Sequence, residues 1–176
     1  MRRTTVGRRL VLGGMAAAVF LAVGVTAAWA GKPDKGPFTP EPIVLQPGEA
    51  CAFPVEIAPA SSGSFKAATF GDGRFAITGS GYDRVTNLST SASVVLHSTG
   101  NLTTTELPTG DLRIRGSGRT LFFLFEGDQG PFGEVGFPGA LYQIAGHADE
   151  TLDLDANVIT SFEWSGRATE ICGLID

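Results

Sequence analysis

The chain has 176 residues, of which 43% are hydrophobic and 18% charged, with a formal net charge of −5. Thirteen basic residues against eighteen acidic ones exclude the cationic surface that nucleic acid or an anionic bilayer requires, because both bind by releasing counterions to basic patches. The hydrophobic content is that of a chain able to bury a core, which excludes a wholly disordered protein.

The first thirty residues carry the pattern of an export signal. Arg2, Arg3, Arg8 and Arg9 precede an apolar run over residues 10–28, and Ala28-Trp29-Ala30 is a small-x-small cleavage site. The order Arg8-Arg9-Leu10-Val11-Leu12 fits the twin-arginine route as well as the general secretory one. An uncleaved anchor is the alternative, since residues 11–28 are near the minimum length for a bilayer span. Cleavage after Ala30 leaves 146 residues with nine basic groups against eighteen acidic ones, a net charge of −9. The expectation is a secreted, extracellular, monomeric domain with no stable membrane anchor after cleavage and no nucleic-acid partner.

Residues 31–48 hold five prolines, Pro33, Pro37, Pro40, Pro42 and Pro47, and are expected to form an extended leader ahead of a single domain over residues 49–176. Cys51 and Cys172 are the only two cysteines, an even count in an exported chain, and are expected to form a disulfide. Beyond the leader, short alternating runs rich in Val, Ile, Thr and Phe recur between glycines, and helical spacing is almost absent, so the domain is all-β.

Three turns propose registers. Asp72-Gly73 predicts a two-residue hairpin that sets Phe70 opposite Phe75 and Ala68 opposite Ile77. Pro108-Thr109-Gly110-Asp111 predicts Leu107 opposite Leu112 and Glu106 opposite Arg113. Asp155-Ala156-Asn157 predicts a three-residue loop with Asn157 left-handed, placing Leu154 against Val158, Leu152 against Thr160 and Ala148 against Trp164. Between the run Leu121-Phe122-Phe123-Leu124-Phe125 and Leu141 lies the longest irregular stretch, residues 126–140, with five glycines, two prolines and the outward-looking Phe132 and Phe137.

Cys51 opens the first core strand, residues 51–57, and Cys172 ends the last. In an up-and-down meander of even strand number those two points are neighbours. The expected architecture is therefore an antiparallel β-barrel of about eight to ten strands riveted by the bridge, with a β-sandwich as the alternative. Phe70, Phe75, Ile77, Leu154, Phe162 and Trp164 are expected to fill its interior. Glycine triplets Gly79-Ser80-Gly81 and Gly116-Ser117-Gly118 fit bulges or bends.

The opening Cys51-Ala52-Phe53-Pro54-Val55, the central Arg84-Val85-Thr86-Asn87-Leu88 and the closing Val158-Ile159-Thr160-Ser161-Phe162, leading to Ser165-Gly166-Arg167 and Cys172, resemble an uncharacterised family of secreted actinobacterial β-proteins. The resemblance implies an exported domain with one disulfide linking its first and last strands, and no activity.

Chemistry-bearing motifs are sparse. His147 shares a strand face with Asp149, and His97 alternates with Val95, but neither pair makes the three or four ligands of a metal site. Asp153, Asp155 and Asn157 resemble half a calcium loop, yet Val158 stands where glycine is needed and Trp164 where the bidentate Glu belongs. Glu126, Asp128 and Glu134 are better explained as solubilising a loop than as calcium ligands, and Arg113, Arg115 and Arg119 as a solvated face than as an anion site. No G-x-S-x-G occurs, so a serine hydrolase lacks its nucleophile elbow. Asn87 and Asn101 sit in glycosylation sequons that a bacterial signal argues against using.

No cofactor or metal is implied. The expected role is binding of a small apolar ligand or of a cell-surface partner, with Phe70, Phe75, Phe132, Phe137, Phe162 and Trp164 as pocket candidates. A structural or cell-surface interaction protein with a filled core is the first alternative. A barrel-type cyclase, isomerase or hydrolase is the second, ranked lower because inward positions are almost entirely apolar.

Overall fold

The computed structural model describes residues 34–38, 40–61 and 63–176; the expected export segment, residues 1–30, lies outside them. The fold is all-β and antiparallel. Short strands β1 (Asp34–Phe38), β2 (Ile43–Leu45), β3 (Val55–Pro59) and β4 (Ser64–Thr69) precede long ones, β5 (Phe75–Asn87), β6 (Ser93–Glu106) and β7 (Leu112–Leu124). A two-stranded excursion, β8 (Gln129–Gly130) and β9 (Gly133–Glu134), leads to the long β10 (Ala140–Asp153) and β11 (Val158–Glu170), and a single 3-10 turn over Cys172–Leu174 follows.

The nine-stranded sheet runs β1-β4-β5-β6-β7-β10-β11, and β3, which carries β2, lies against the far half of β5. Among the described residues β11 pairs only with β10, so hydrogen bonding leaves the sheet open and does not close the expected barrel. The meander is also imperfect, because β3 and β4 share one edge of β5. Closure is left to the Cys51–Cys172 disulfide, which spans 121 residues of sequence with its Cα atoms 5.7 Å apart. Beside it Gly139 N donates to Gly48 O at 3.0 Å, tying the β2–β3 corner to the start of β10, and Ile171 N donates to Leu141 O at 2.9 Å, holding the end of β11 to β10.

A row of glycines crosses the sheet. Gly79 pairs with Gly100, Gly100 with Gly118, Gly118 with Gly146, and Gly146 with Gly166. The last four have positive φ, and the backbones touch: a Cβ on Gly100 would lie 1.7 Å from Ser117 O, and one on Gly118 2.1 Å from Thr99 O. No L side chain fits there.

The row divides the core. Before Gly100, Val94 and Leu96 pack on a cluster built from Leu45, Val55, Ile57, Val85, Leu121, Phe123, Leu141, Ile171 and Ile175; beyond it, Leu102 joins a second cluster with Leu112, Ile114, Leu124, Leu152 and Ile159. Strand β7 is buried on both faces past the row, with Leu121, Phe122, Phe123 and Leu124 all buried. The described residues of the expected leader join the sheet: β1 pairs with β4, β2 pairs with β3, and Leu45 is 1% exposed in the first core. Ile43-Val44-Leu45 is a short apolar run whose partner strand outweighs the flanking prolines.

Two registers differ from expectation by one residue for a shared reason. Gly73 and Gly110 each take positive φ at the last position of a three-residue loop, closed by Phe70 N to Arg74 O at 2.9 Å and Leu107 N to Asp111 O at 2.8 Å. Phe75 therefore faces Thr69, Ala68 faces Ala76, Leu112 faces Glu106, and Arg113 faces Thr105. In the last hairpin Asn157 is left-handed, with φ 53°, as expected, but Asp153 faces Val158 and Leu152 faces Ile159. A bulge at Thr151/Leu152 then restores the register, so Ala148 does face Trp164. Leu154 falls in the loop, exposed, and not in the core.

Gly118→Ala is expected to cost about 3 kcal/mol or to abolish folding, because it adds a backbone clash to the strain of positive φ. Gly110→Ala, with the same sign of φ but nothing within 4 Å of its Cβ, should cost only about 1 kcal/mol. Urea midpoints of the two variants check this, and equal losses would contradict it.

Candidate functional site

The stretch over residues 126–140 is an ordered excursion. Gln129 pairs with Glu134 and Gly130 with Gly133, while Gly127 N donates to Val135 O and Val135 N to Asp128 O, each at 2.8 Å. Asp128 anchors its base: Oδ2 accepts Phe125 N at 2.7 Å and Oδ1 accepts Ile159 N at 2.9 Å, so one buried carboxylate ties the excursion to β11. At the tip, Trp164 Nε1 donates to Pro131 O at 2.8 Å.

Between this hairpin and the disulfide lies a cleft of about 440 Å3. Pro131, Phe132 and Val135 form one wall, Phe53 and the Cys51–Cys172 bridge another, and Ala140 and Tyr142 border it from β10. Phe132 is 70% exposed, yet its ring centroid is 5.6 Å from both Tyr142 and Trp164 in edge-on contacts. Burial, and then the nearby Glu170 charge, pushes the Tyr142 hydroxyl up from its ordinary value.

The six aromatic candidates separate. Phe132 lines the cleft and Trp164 supports it. Phe162 packs edge-on against Phe122 at 5.4 Å, beside the cores. Phe137 is 72% exposed and its ring covers Gly48. Phe70 lies beneath the Arg74 guanidinium at the β4–β5 turn, 4.8 Å from ring centroid to Cζ, and Phe75 is half-buried on β5, away from the cleft. Tyr142 and Phe53 were not among the candidates. Tyr142 sits two residues before the inward Ile144 on β10, a parity signal that points it the same way.

The polar groups gather elsewhere. His97 Nε2 lies 3.0 Å from Ser80 Oγ and its ring stacks on Tyr82 at 4.9 Å, but no carboxylate joins the pair among the described residues, and neither residue lines the cleft. His147 is exposed. Asp149 is committed to Arg113, at 2.8 and 2.6 Å, and to Arg115 at 3.0 Å, which hold its carboxyl below the usual range. Asp153 accepts Ala156 N at 2.8 Å, a turn bond and not a metal contact. Among the described residues no group of three His, Cys, Asp or Glu is placed to hold a metal. Asn87 is 1% exposed and its Nδ2 donates to Ile175 O at 3.0 Å, so that sequon is closed to a glycan.

One ionisable residue escaped the inward-facing set. Glu150 is buried between Ala148 and Leu152, with Oε2 lacking a hydrogen-bond partner. Burial first, then the charges of Asp128 and Asp149, raises its pKa from 4.5 to about 8. The folded protein therefore holds a proton that the unfolded chain releases above about 4.5, so the contribution of Glu150 to stability is most favourable below about 4.5 and declines as pH rises toward about 8. The slope is at most about 1.4 kcal/mol per pH unit. Glu150→Gln should leave the denaturation midpoint almost unchanged at pH 4.5 and raise stability by on the order of 3 kcal/mol at pH 8. A gap between variant and parent that does not widen with pH would contradict this.

No family model, curated protein or solved structure matches the chain.

Proposed function

We propose that this is an exported binding protein whose cleft beneath the β8–β9 hairpin takes a small ligand with an apolar body. The observation that carries this reading is Phe132, held at the rim by Tyr142 and Trp164 with most of its ring facing solvent. An exposed aromatic braced by two others is poorly explained by stability, because its burial is incomplete, and well explained by a contact surface. The volume of about 440 Å3 falls in the range of small-molecule sites, about 300 to 1,000 Å3.

The frame around the cleft supports preorganisation. Asp128 fixes the hairpin base, Trp164 fixes its tip, and the disulfide forms the opposite wall. A cleft held on three sides spends little ligand affinity on ordering its walls. The export-signal pattern over residues 1–30 supports an extracellular setting, and the Cys51–Cys172 bridge fits an oxidising compartment. Among the described residues no helix is long and apolar enough to cross a membrane.

Native mass spectrometry on protein recovered from its own secretion route tests the reading. The expected result is a reproducible bound mass, lost or reduced about tenfold in Phe132→Ala, in line with the stacking energy of one aromatic contact. A clean apo mass for the parent protein at every gentle condition would contradict it.

A further inference from the structure

The charge around the cleft is one-sided. Glu134 from β9, Glu170 at the end of β11 and Asp176 border it, and no Lys, Arg or His does. The three carboxylates come from separate segments and none has an ion-pair partner among the described residues. Glu170 is held in place, its Oε1 accepting Cys172 N at 2.7 Å and its Oε2 accepting Gly173 N at 2.9 Å. Those backbone amides orient the carboxylate at the mouth without cancelling its charge.

Lining the same cleft are Phe53, Phe132 and Tyr142. An aromatic face attracts cations through its quadrupole, and a carboxylate attracts them directly. An anion entering the cleft meets three like charges, whereas a neutral solute gains only the buried apolar area. A cation on an apolar body uses both walls at once. Resting on the binding reading above, we infer that the ligand of this cleft is a small organic cation, an ammonium group carried on an aromatic or aliphatic body.

The mature protein is titrated with benzyltrimethylammonium, benzyl alcohol and phenylacetate at low ionic strength. Trp164, the only tryptophan after the signal segment, reports binding through its emission because it touches Phe132. The cation is expected to bind about tenfold tighter than the alcohol, with no saturable binding of phenylacetate, and to weaken as salt screens the rim. Glu134→Gln with Asp176→Asn should lower affinity for the cation about fivefold and leave the alcohol unchanged. Both residues are exposed, so an unaltered thermal midpoint shows that the fold is kept.

Three outcomes separate the claims. Preferential, salt-sensitive binding of the cation supports the inference. Equal binding of all three probes, each lost in Phe132→Ala, overturns the charge selectivity while leaving an aromatic cleft. Absence of binding by every probe, in the parent protein as in Phe132→Ala, overturns the inference, and a clean apo mass by native mass spectrometry then separately overturns the binding reading.

Discussion

The structure depends on the close backbone approach along the glycine row. At Gly100 and Gly118 the neighbouring strand's carbonyl occupies the place where a Cβ would stand, at 1.7 and 2.1 Å. This contact lets five long strands run in register from Gly79 to Gly166 while their two halves feed different cores. Without it β7 would present one apolar face, as an ordinary half-buried strand does. With it, Leu121 and Phe123 serve the first core while Phe122 and Leu124 lie in the others.

The site follows from that division. Because the end of β7 is buried on both faces, the chain leaving Leu124 must turn outward, and the β8–β9 hairpin stands on the sheet instead of continuing it. Asp128 ties the hairpin base to β11, Trp164 reaches up from β11 to Pro131, and the disulfide brings the β2–β3 corner alongside. The cleft is the space left between an excursion and a clip that originate at opposite flanks of an open sheet. Its acidic and aromatic borders come from four separate stretches of chain, so no contiguous motif announces it.

The all-β, antiparallel character, the pairing of Cys51 with Cys172 and the facing of Ala148 with Trp164 were legible in the sequence, each from a strong local signal, whereas the closed barrel was not. The registers at Gly73 and Gly110 were missed by one residue, because Asp-Gly and Thr-Gly fit both two-residue and three-residue loops, and only φ at the glycine distinguishes them. The glycine row was legible in principle. Gly100 and Gly118 lie at equal distances from Thr109, and Gly118 and Gly146 from Phe132, as a mirrored row requires. The triplets containing Gly79 and Gly118 fit bulges or bends by sequence alone, and their alignment across the sheet needs the correct registers. Glu150 was hidden by its type: an inward parity position holding a carboxyl is discounted, although burial there is what raises its pKa to about 8.

The proposed ligand site is the cleft between the β8–β9 hairpin and the Cys51–Cys172 bridge, preformed in the folded protein. A crystal structure of the protein, purified without denaturation, is the decisive measurement. The expected result is a bound molecule against Phe132 and Tyr142, with any positive group turned toward Glu170. A collapsed cleft, with Phe132 folded against the disulfide and no molecule between them, would contradict it.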